Sequence, residues 1–210
     1  MIRSLALRDA AAELWEASLT HPFVRGIGDG TLDERVFQWY VRQDYRFLID
    51  YGRLLSLGAA RAPRLSWMRR FAALSLAVLE TEMELHRSFA ARWDVHDLEA
   101  TVVEPATAAY CDFLLRVASL GDFAELVAAV APCMWGYAEI GTALASSATS
   151  ARYGEWIEMY ASEEFGELAA WSRELLDEVE GDLDRMREAF VASSRHELAF
   201  WEAAWQSAAA

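Results

Sequence analysis

From Leu126 to Leu144 the residues Leu126, Val130, Cys133, Tyr137, Ile140 and Leu144 recur three and four apart, which places them on one face of an α-helix. A face this apolar points into the protein, and it carries one of only two cysteines in the chain. Pro132, just before the thiol, removes one backbone donor and tends to kink the helix there. Tyr137 lies one turn beyond, so its ring projects from the same face as the sulfur. Periodicity leaves two readings of Cys133 open. It is a small buried hydrophobe, as most free cysteines are, or it is a reactive group whose partners come from other inward faces.

Ala6 to Leu19 reads as a first helix, with Leu7, Ala11, Leu14, Trp15 and Ser18 on one side. It ends before Pro22, because proline disfavours the α region for the residue preceding it. His21 to Gly30 reads as a connecting loop; the spacing of Gly26, Gly28 and Gly30 resembles a phosphate-binding turn, but no strand precedes it. Thr31 and Glu34 have capping-box spacing ahead of a helix running to about Ala60. Its inward face is Phe37, Tyr40, Val41, Asp44, Phe47, Leu48, Tyr51, Leu55 and Gly58, so Asp44 interrupts an apolar stripe. An unpaired buried charge costs several kcal/mol, and either a salt bridge or a hydrogen bond to a neighbouring tyrosine would satisfy it.

A second long helix spans roughly Ser66 to Trp93, with Phe71, Leu74, Val78, Leu79, Leu85 and Phe89 as its stripe. Glu82 and His86 stand one turn apart on it, as a hydrogen-bonded pair or as two metal ligands lacking a matching second pair. Glu104-Pro105 opens a helix whose stripe is Tyr110, Phe113, Leu114 and Val117, with Cys111 reading as packing. Tyr153 to Tyr160 forms another. Ser162 caps the next, which runs to about Val179 with Glu163 and Glu164 in its first turn. The last helix, from about Asp182 to Gln206, has Leu183, Met186, Phe190, Ser194, Glu197, Phe200 or Trp201, and Ala204 along its seam. Glu197 is therefore a second inward carboxylate. No run alternates with period two and no internal repeat occurs. The expected fold class is all-α, a single-domain bundle of about eight helices over residues 1–210.

A chain of 210 residues buries a core without disulfides or metals. Its 54% apolar content with nine tryptophans adds an expectation of subunit contacts. The net charge of -14 makes nucleic acid and anionic membranes poor partners. Met1 to Asp9 has no apolar signal core, and no run is uncharged over the roughly 18 residues of a membrane span. Cys111 and Cys133 have neither disulfide-framework nor metal-site spacing. These features predict a cytoplasmic protein with reduced thiols.

Asp44, Tyr110, Cys133 with Tyr137, and Glu197 thus come inward from four helices. Together they supply a nucleophile, an acid–base group and polar anchors in an apolar pocket, which covalent catalysis requires. Gln43-Asp44-Tyr45, Pro132-Cys133 through Tyr137-Ala138-Glu139, Tyr160-Ala161-Ser162-Glu163-Glu164-Phe165, and Glu197 followed by Phe200-Trp201 carry a resemblance. From His21-Pro22-Phe23 to Trp205 the chain resembles the cysteine-bearing branch of the TenA family, that is, thiaminase II or aminopyrimidine aminohydrolase. The resemblance implies a haem-oxygenase-like helical fold that uses no haem, no metal and no other cofactor, assembled as a homotetramer. It implies hydrolysis at the methylene of a 4-amino-2-methylpyrimidine. Ammonia leaves 4-amino-5-aminomethyl-2-methylpyrimidine, or the thiazole leaves thiamine, and 4-amino-5-hydroxymethyl-2-methylpyrimidine re-enters thiamine synthesis.

By the same resemblance Cys133 is the nucleophile and Glu197 the acid–base. Asp44 anchors the substrate amino group and adjacent ring nitrogen, while Tyr110, Tyr137, Tyr160 and Phe200 line or hydrogen-bond the pocket. Phe47 departs from the tyrosine common at its position, and Tyr51, one turn on, is placed to supply the missing hydroxyl. The residue types agree with the chemistry: a flat, neutral aminopyrimidine suits aromatic walls and one carboxylate. A carboxylic acid kept protonated by an apolar site suits donation to a ring nitrogen, so a raised pKa is expected of Glu197. Two alternatives remain, a metal-dependent oxidase on the same fold using Glu82, His86, Asp44 and Glu197, and a non-catalytic member that binds a small aromatic ligand.

Overall fold

Asp33 caps the longest helix of the protein, its carboxylate accepting from the Arg35 backbone N–H at 2.8 Å. The capping box expected of Thr31 and Glu34 does not form. Thr31 donates instead to Asp29 at 2.6 Å, and Glu34 accepts from the Trp93 indole at 2.9 Å. The computed structural model describes residues 2–207. In chain order its helices are α1 (Arg3–Ala10), α2 (Ala12–Leu19), α3 (Pro22–Asp29), α4 (Glu34–Arg61), α5 (Leu65–Ala77) and α6 (Met83–Ala91). They continue as α7 (Pro105–Leu120), α8 (Phe123–Ser147), α9 (Gly154–Tyr160), α10 (Glu163–Glu178) and α11 (Leu183–Gln206). A π-helical turn, Val78–Glu82, joins α5 to α6, and no strand occurs among the described residues.

The all-α class holds, with more and shorter helices than the stripes suggest, for local reasons. The expected helix over Ala6–Leu19 is broken at Ala11, whose backbone leaves the helical region at φ -109° and ψ 14°. The expected loop after His21 is mostly α3: His21 Nδ1 accepts from the Phe23 N–H, Pro22 sits in the first turn, and Gly30 ends the helix at φ 76°. Gly28 belongs to this helix and packs close to Leu144: a Cβ there would meet the end of that side chain at 2.8 Å. The expected helix over Ser66–Trp93 is α5, the π turn and α6. The Met83 N–H reaches back to the Val78 carbonyl, and this extra residue rotates the rest of the helix by about 100°. Leu79 consequently leaves the expected stripe and is 41% exposed, while Met83, His86 and Phe89 are buried.

The remaining caps hold α7, α8, α10 and α11 in place. Pro105 occupies the first turn of α7, Asp122 and Glu125 form a capping box on α8, Ser162 accepts from the Phe165 N–H, and Asp182 caps α11. Helix α8 runs unbroken through Pro132. It is long and apolar enough to cross a membrane, but 72% of its most apolar window is buried here. It lies along α11 and α10, while α4 packs on α5 and α7. The core forms two apolar clusters, one around Trp15, Tyr51, Phe71 and Phe190, the other around Phe23, Tyr40, Trp156 and Trp201. Cys133 packs against both.

Candidate active site

The seam between the clusters holds a narrow cavity of about 30 Å³. Cys133 lines it and is only half-buried, although its neighbours Pro132 and Met134 are buried. Helix α4 contributes Asp44, Phe47 and Tyr51, the π turn Glu82, α8 Tyr137, and α10 Phe165 and Leu168. Four residues expected from the sequence, Asp44, Phe47, Cys133 and Tyr137, therefore share one cavity. Glu197 reaches the Cys133 thiol from α11, and also lines a smaller adjoining pocket with Trp15, Ser194 and Trp201. Tyr110, Tyr160 and Phe200 stand behind this wall. Tyr110 bonds Glu197, Tyr160 bonds Glu82, and the Phe200 ring packs on Tyr40 and Phe47 with centroids 5.9 and 6.5 Å apart.

Asp44, 3% exposed, has both of the partners its position demands. Its Oδ2 accepts from the Tyr40 hydroxyl at 3.1 Å and lies 2.6 Å from His86 Nε2. Trp156 in turn donates to the Tyr40 oxygen at 3.1 Å. His86 Nδ1 lies 2.9 Å from the Glu82 backbone carbonyl. A carbonyl and a carboxylate both only accept, so the ring satisfies the two contacts as an imidazolium. Burial pulls the His86 pKa down, but the bond to Asp44, the Asp44 charge and the Glu82 carbonyl outweigh it, and the net shift is upward. The one-turn pair Glu82 and His86 is thus joined through the Glu82 backbone. The Glu82 side chain turns instead to Tyr160, whose hydroxyl donates to it at 2.9 Å. Among the described residues no three His, Cys, Asp or Glu side chains gather closely enough to hold a metal ion.

Glu197 ends a second buried chain. The Tyr110 hydroxyl lies 2.6 Å from Glu197 Oε1 and 3.0 Å from Ser193 Oγ, and Ser193 donates to the Ala129 carbonyl at 2.7 Å. Three links need three protons, and the carbonyl brings none. All three are satisfied only when Glu197 carries a proton as well as Tyr110 and Ser193. Desolvation by burial, as expected from its apolar surroundings, raises the Glu197 pKa to about 7 against the opposing pull of the Tyr110 hydrogen bond. The Cys133 thiol is held well above its usual range, first by burial and then by the charges of Glu197, Glu82 and Asp44. Tyr51 opposes this: its hydroxyl has no partner of ordinary geometry among the described residues, yet faces the sulfur and donates to its ionised form.

Ser193 and the α10 side chains Phe165 and Leu168 were not assigned to the site from sequence, and Glu82 and His86 were placed there only in the metal-dependent alternative. Ser193 was within reach of that reasoning, since it lies one turn before Glu197 on the same helix face. The partner of His86 was not, since it comes from another helix.

With this geometry in place, the sequence model of the TENA/THI-4/PQQC family matches residues 8–207. The chain belongs to that family. This TENA/THI-4/PQQC member is 43% identical to the aminopyrimidine aminohydrolase of Halalkalibacterium halodurans, over 95% of its own length and 94% of the relative's. Its fold matches a TenA homologue from P. horikoshii OT3 with a TM-score of 0.92 at 30% identity, covering 99% and 100% of the two chains. A Shewanella denitrificans OS217 domain of unknown function with a haem-oxygenase-like fold matches with a TM-score of 0.77 at 15% identity, covering 98% of this chain and 93% of that one. The family's helical bundle is thus haem-oxygenase-like.

Proposed function

We propose that this protein is an aminopyrimidine aminohydrolase, or thiaminase II, of thiamine salvage. It hydrolyses a C–N bond in 4-amino-5-aminomethyl-2-methylpyrimidine, and in thiamine. The observation that carries this reading is the half-buried Cys133 in a largely apolar cavity, set between an ion-paired carboxylate and a carboxyl group poised to give a proton. The name of its H. halodurans relative supports the substrate class.

Asp44, held by His86 and Tyr40, accepts from the 4-amino group and fixes the ring against Tyr137 and Phe47. Once the Cys133 thiol has lost its proton to water, Glu197 gives its own proton to a ring nitrogen while the thiolate sulfur bonds to the adjacent ring carbon, so the electron pair of the broken ring π bond becomes the new N–H. The 4-amino lone pair then drives departure of the group on the methylene, whose C–N electrons leave with nitrogen. Glu197, now a carboxylate, takes a proton from the water that adds to the methylene. Loss of the thiolate and of the ring N–H proton restores the aromatic ring. With the aminomethyl substrate the net products are the hydroxymethylpyrimidine and ammonium. Proton loss from Glu197 to the ring also leaves the Tyr110–Ser193 contact without a proton, so the chain favours the proton's return.

We also assign the chain a single domain, a cytoplasmic place, small-molecule partners without nucleic acid or membrane, and a homotetramer. The deciding experiment incubates the wild type and Cys133→Ala with each substrate and follows the hydroxymethylpyrimidine by chromatography. Product from the wild type and almost none from the variant is expected. No product from either, or equal product from both, overturns the reading.

A further inference from the structure

The cavity has an acidic group that takes no part in the proposed chemistry. Glu82 lines the same cavity as Cys133 and Asp44, and it comes from the π turn, whereas Glu197 comes from α11. Its Oε1 accepts from Tyr160, and among the described residues its Oε2 accepts from no donor. The π turn that presents it is an interruption of regular helix geometry of a kind frequent at functional sites. Burial, then the Asp44 charge, raises its pKa to about 7 against the opposing pull of the His86 charge and the Tyr160 hydrogen bond.

The aminomethyl substrate brings that cation. A primary alkylamine is an ammonium at neutral pH, like the lysine side chain with its pKa of about 10.4, and carries three N–H donors. We infer that Glu82 binds this ammonium through Oε2 and so sets a preference of the site for aminomethylpyrimidines over thiamine. The inference rests on the aminohydrolase reading. A carboxylate beside the ammonium keeps all three protons on nitrogen; when the C–N bond breaks, its electron pair stays on nitrogen, ammonia leaves neutral, and Glu82 neither gains nor loses a proton. The thiazolium nitrogen of thiamine is quaternary and has no N–H to offer Glu82.

The test compares kcat/KM for both substrates in the wild type and Glu82→Gln, which keeps an acceptor oxygen for Tyr160 but removes the charge. Turnover of the aminomethylpyrimidine should fall about tenfold to a hundredfold, the effect of losing a hydrogen bond to a charged group, while thiamine turnover changes by less than about threefold on the same scale. Both rates come from one preparation, so any loss of folded protein cancels in their ratio. Equal losses on the two substrates, or none on the amine, overturn the inference, whereas ammonia release by the wild type leaves the aminohydrolase reading standing. If the wild type is inert on both, calorimetry decides. Cys133→Ala should bind the aminomethyl compound more tightly than the hydroxymethyl one, and adding Glu82→Gln should erase that preference; equal affinities from the start overturn the inference.

Discussion

Replacing Ser193 by alanine should lower the pKa of Glu197, and replacing Tyr110 by phenylalanine should move it less, although both residues belong to one hydrogen-bonded chain. In the acid form Glu197 donates to Tyr110, Tyr110 to Ser193 and Ser193 to the Ala129 carbonyl, over 2.6, 3.0 and 2.7 Å. In the ionised form Tyr110 donates to Glu197, and its contact with Ser193 is left without a proton. Removing the Ser193 hydroxyl therefore takes one neutral hydrogen bond, about 1 kcal/mol, from the acid form alone. That corresponds to a fall of about 0.7 in pKa, from a starting value of about 7. Removing the Tyr110 hydroxyl takes a charge-assisted bond of about 1.5–3 kcal/mol from the ionised form and two neutral ones of about 1 kcal/mol each from the acid form, which nearly cancel and leave a shift between about -0.4 and +0.7. The assay is a carboxyl carbon NMR titration of Glu197 in a Glu82→Gln background, so that the second carboxyl titrating at about 7 does not overlap. In the enzyme the alkaline limb of kcat/KM should move with it, since Glu197 acts first as an acid. A rise with Ser193→Ala would refute the proton count.

Glu197→Gln should stabilise the fold at alkaline pH. The folded pKa of about 7 lies above the usual 4.5, so the acid's contribution is fully present below 4.5 and is lost as pH rises through 7. The difference is about 3 kcal/mol, and urea unfolding at pH 5 and pH 8 should show the variant's advantage only at the higher pH. Iodoacetamide at pH 8 should modify Cys133 more than about tenfold slower than an ordinary exposed thiol, because burial and three carboxyl groups disfavour the thiolate; rapid labelling would contradict this. Gly141→Ala should cost more than about 3 kcal/mol, measured as a loss in melting temperature, since its Cβ would lie 2.4 Å from the Tyr160 carbonyl carbon and displace α9. Phe47→Tyr, adding a hydroxyl to a ring stacked between Tyr51 and Tyr110 at 5.4 and 5.0 Å, should change KM more than it changes the product seen by chromatography.

Helical spacing alone determined that Cys133, Asp44 and Glu197 face inward, because the 3.6-residue period is a local property and an apolar stripe has only one stable side. The same locality explains the caps at Ser162 and Asp182, and the all-α class. Local pattern also misled where tertiary packing overrode it: glycines that resemble a loop belong to α3, which packs against α8 and α11, and the π turn breaks a stripe that reads as continuous. The site's electrostatics belong to the tertiary structure. His86 meets Asp44 across 42 residues, Tyr160 meets Glu82 across 78, and Tyr110 meets Glu197 across 87. Spacing along one helix shows which way a carboxyl group points, but its protonation depends on the donors, charges and water around it, and those arrive from helices that are neighbours only after folding.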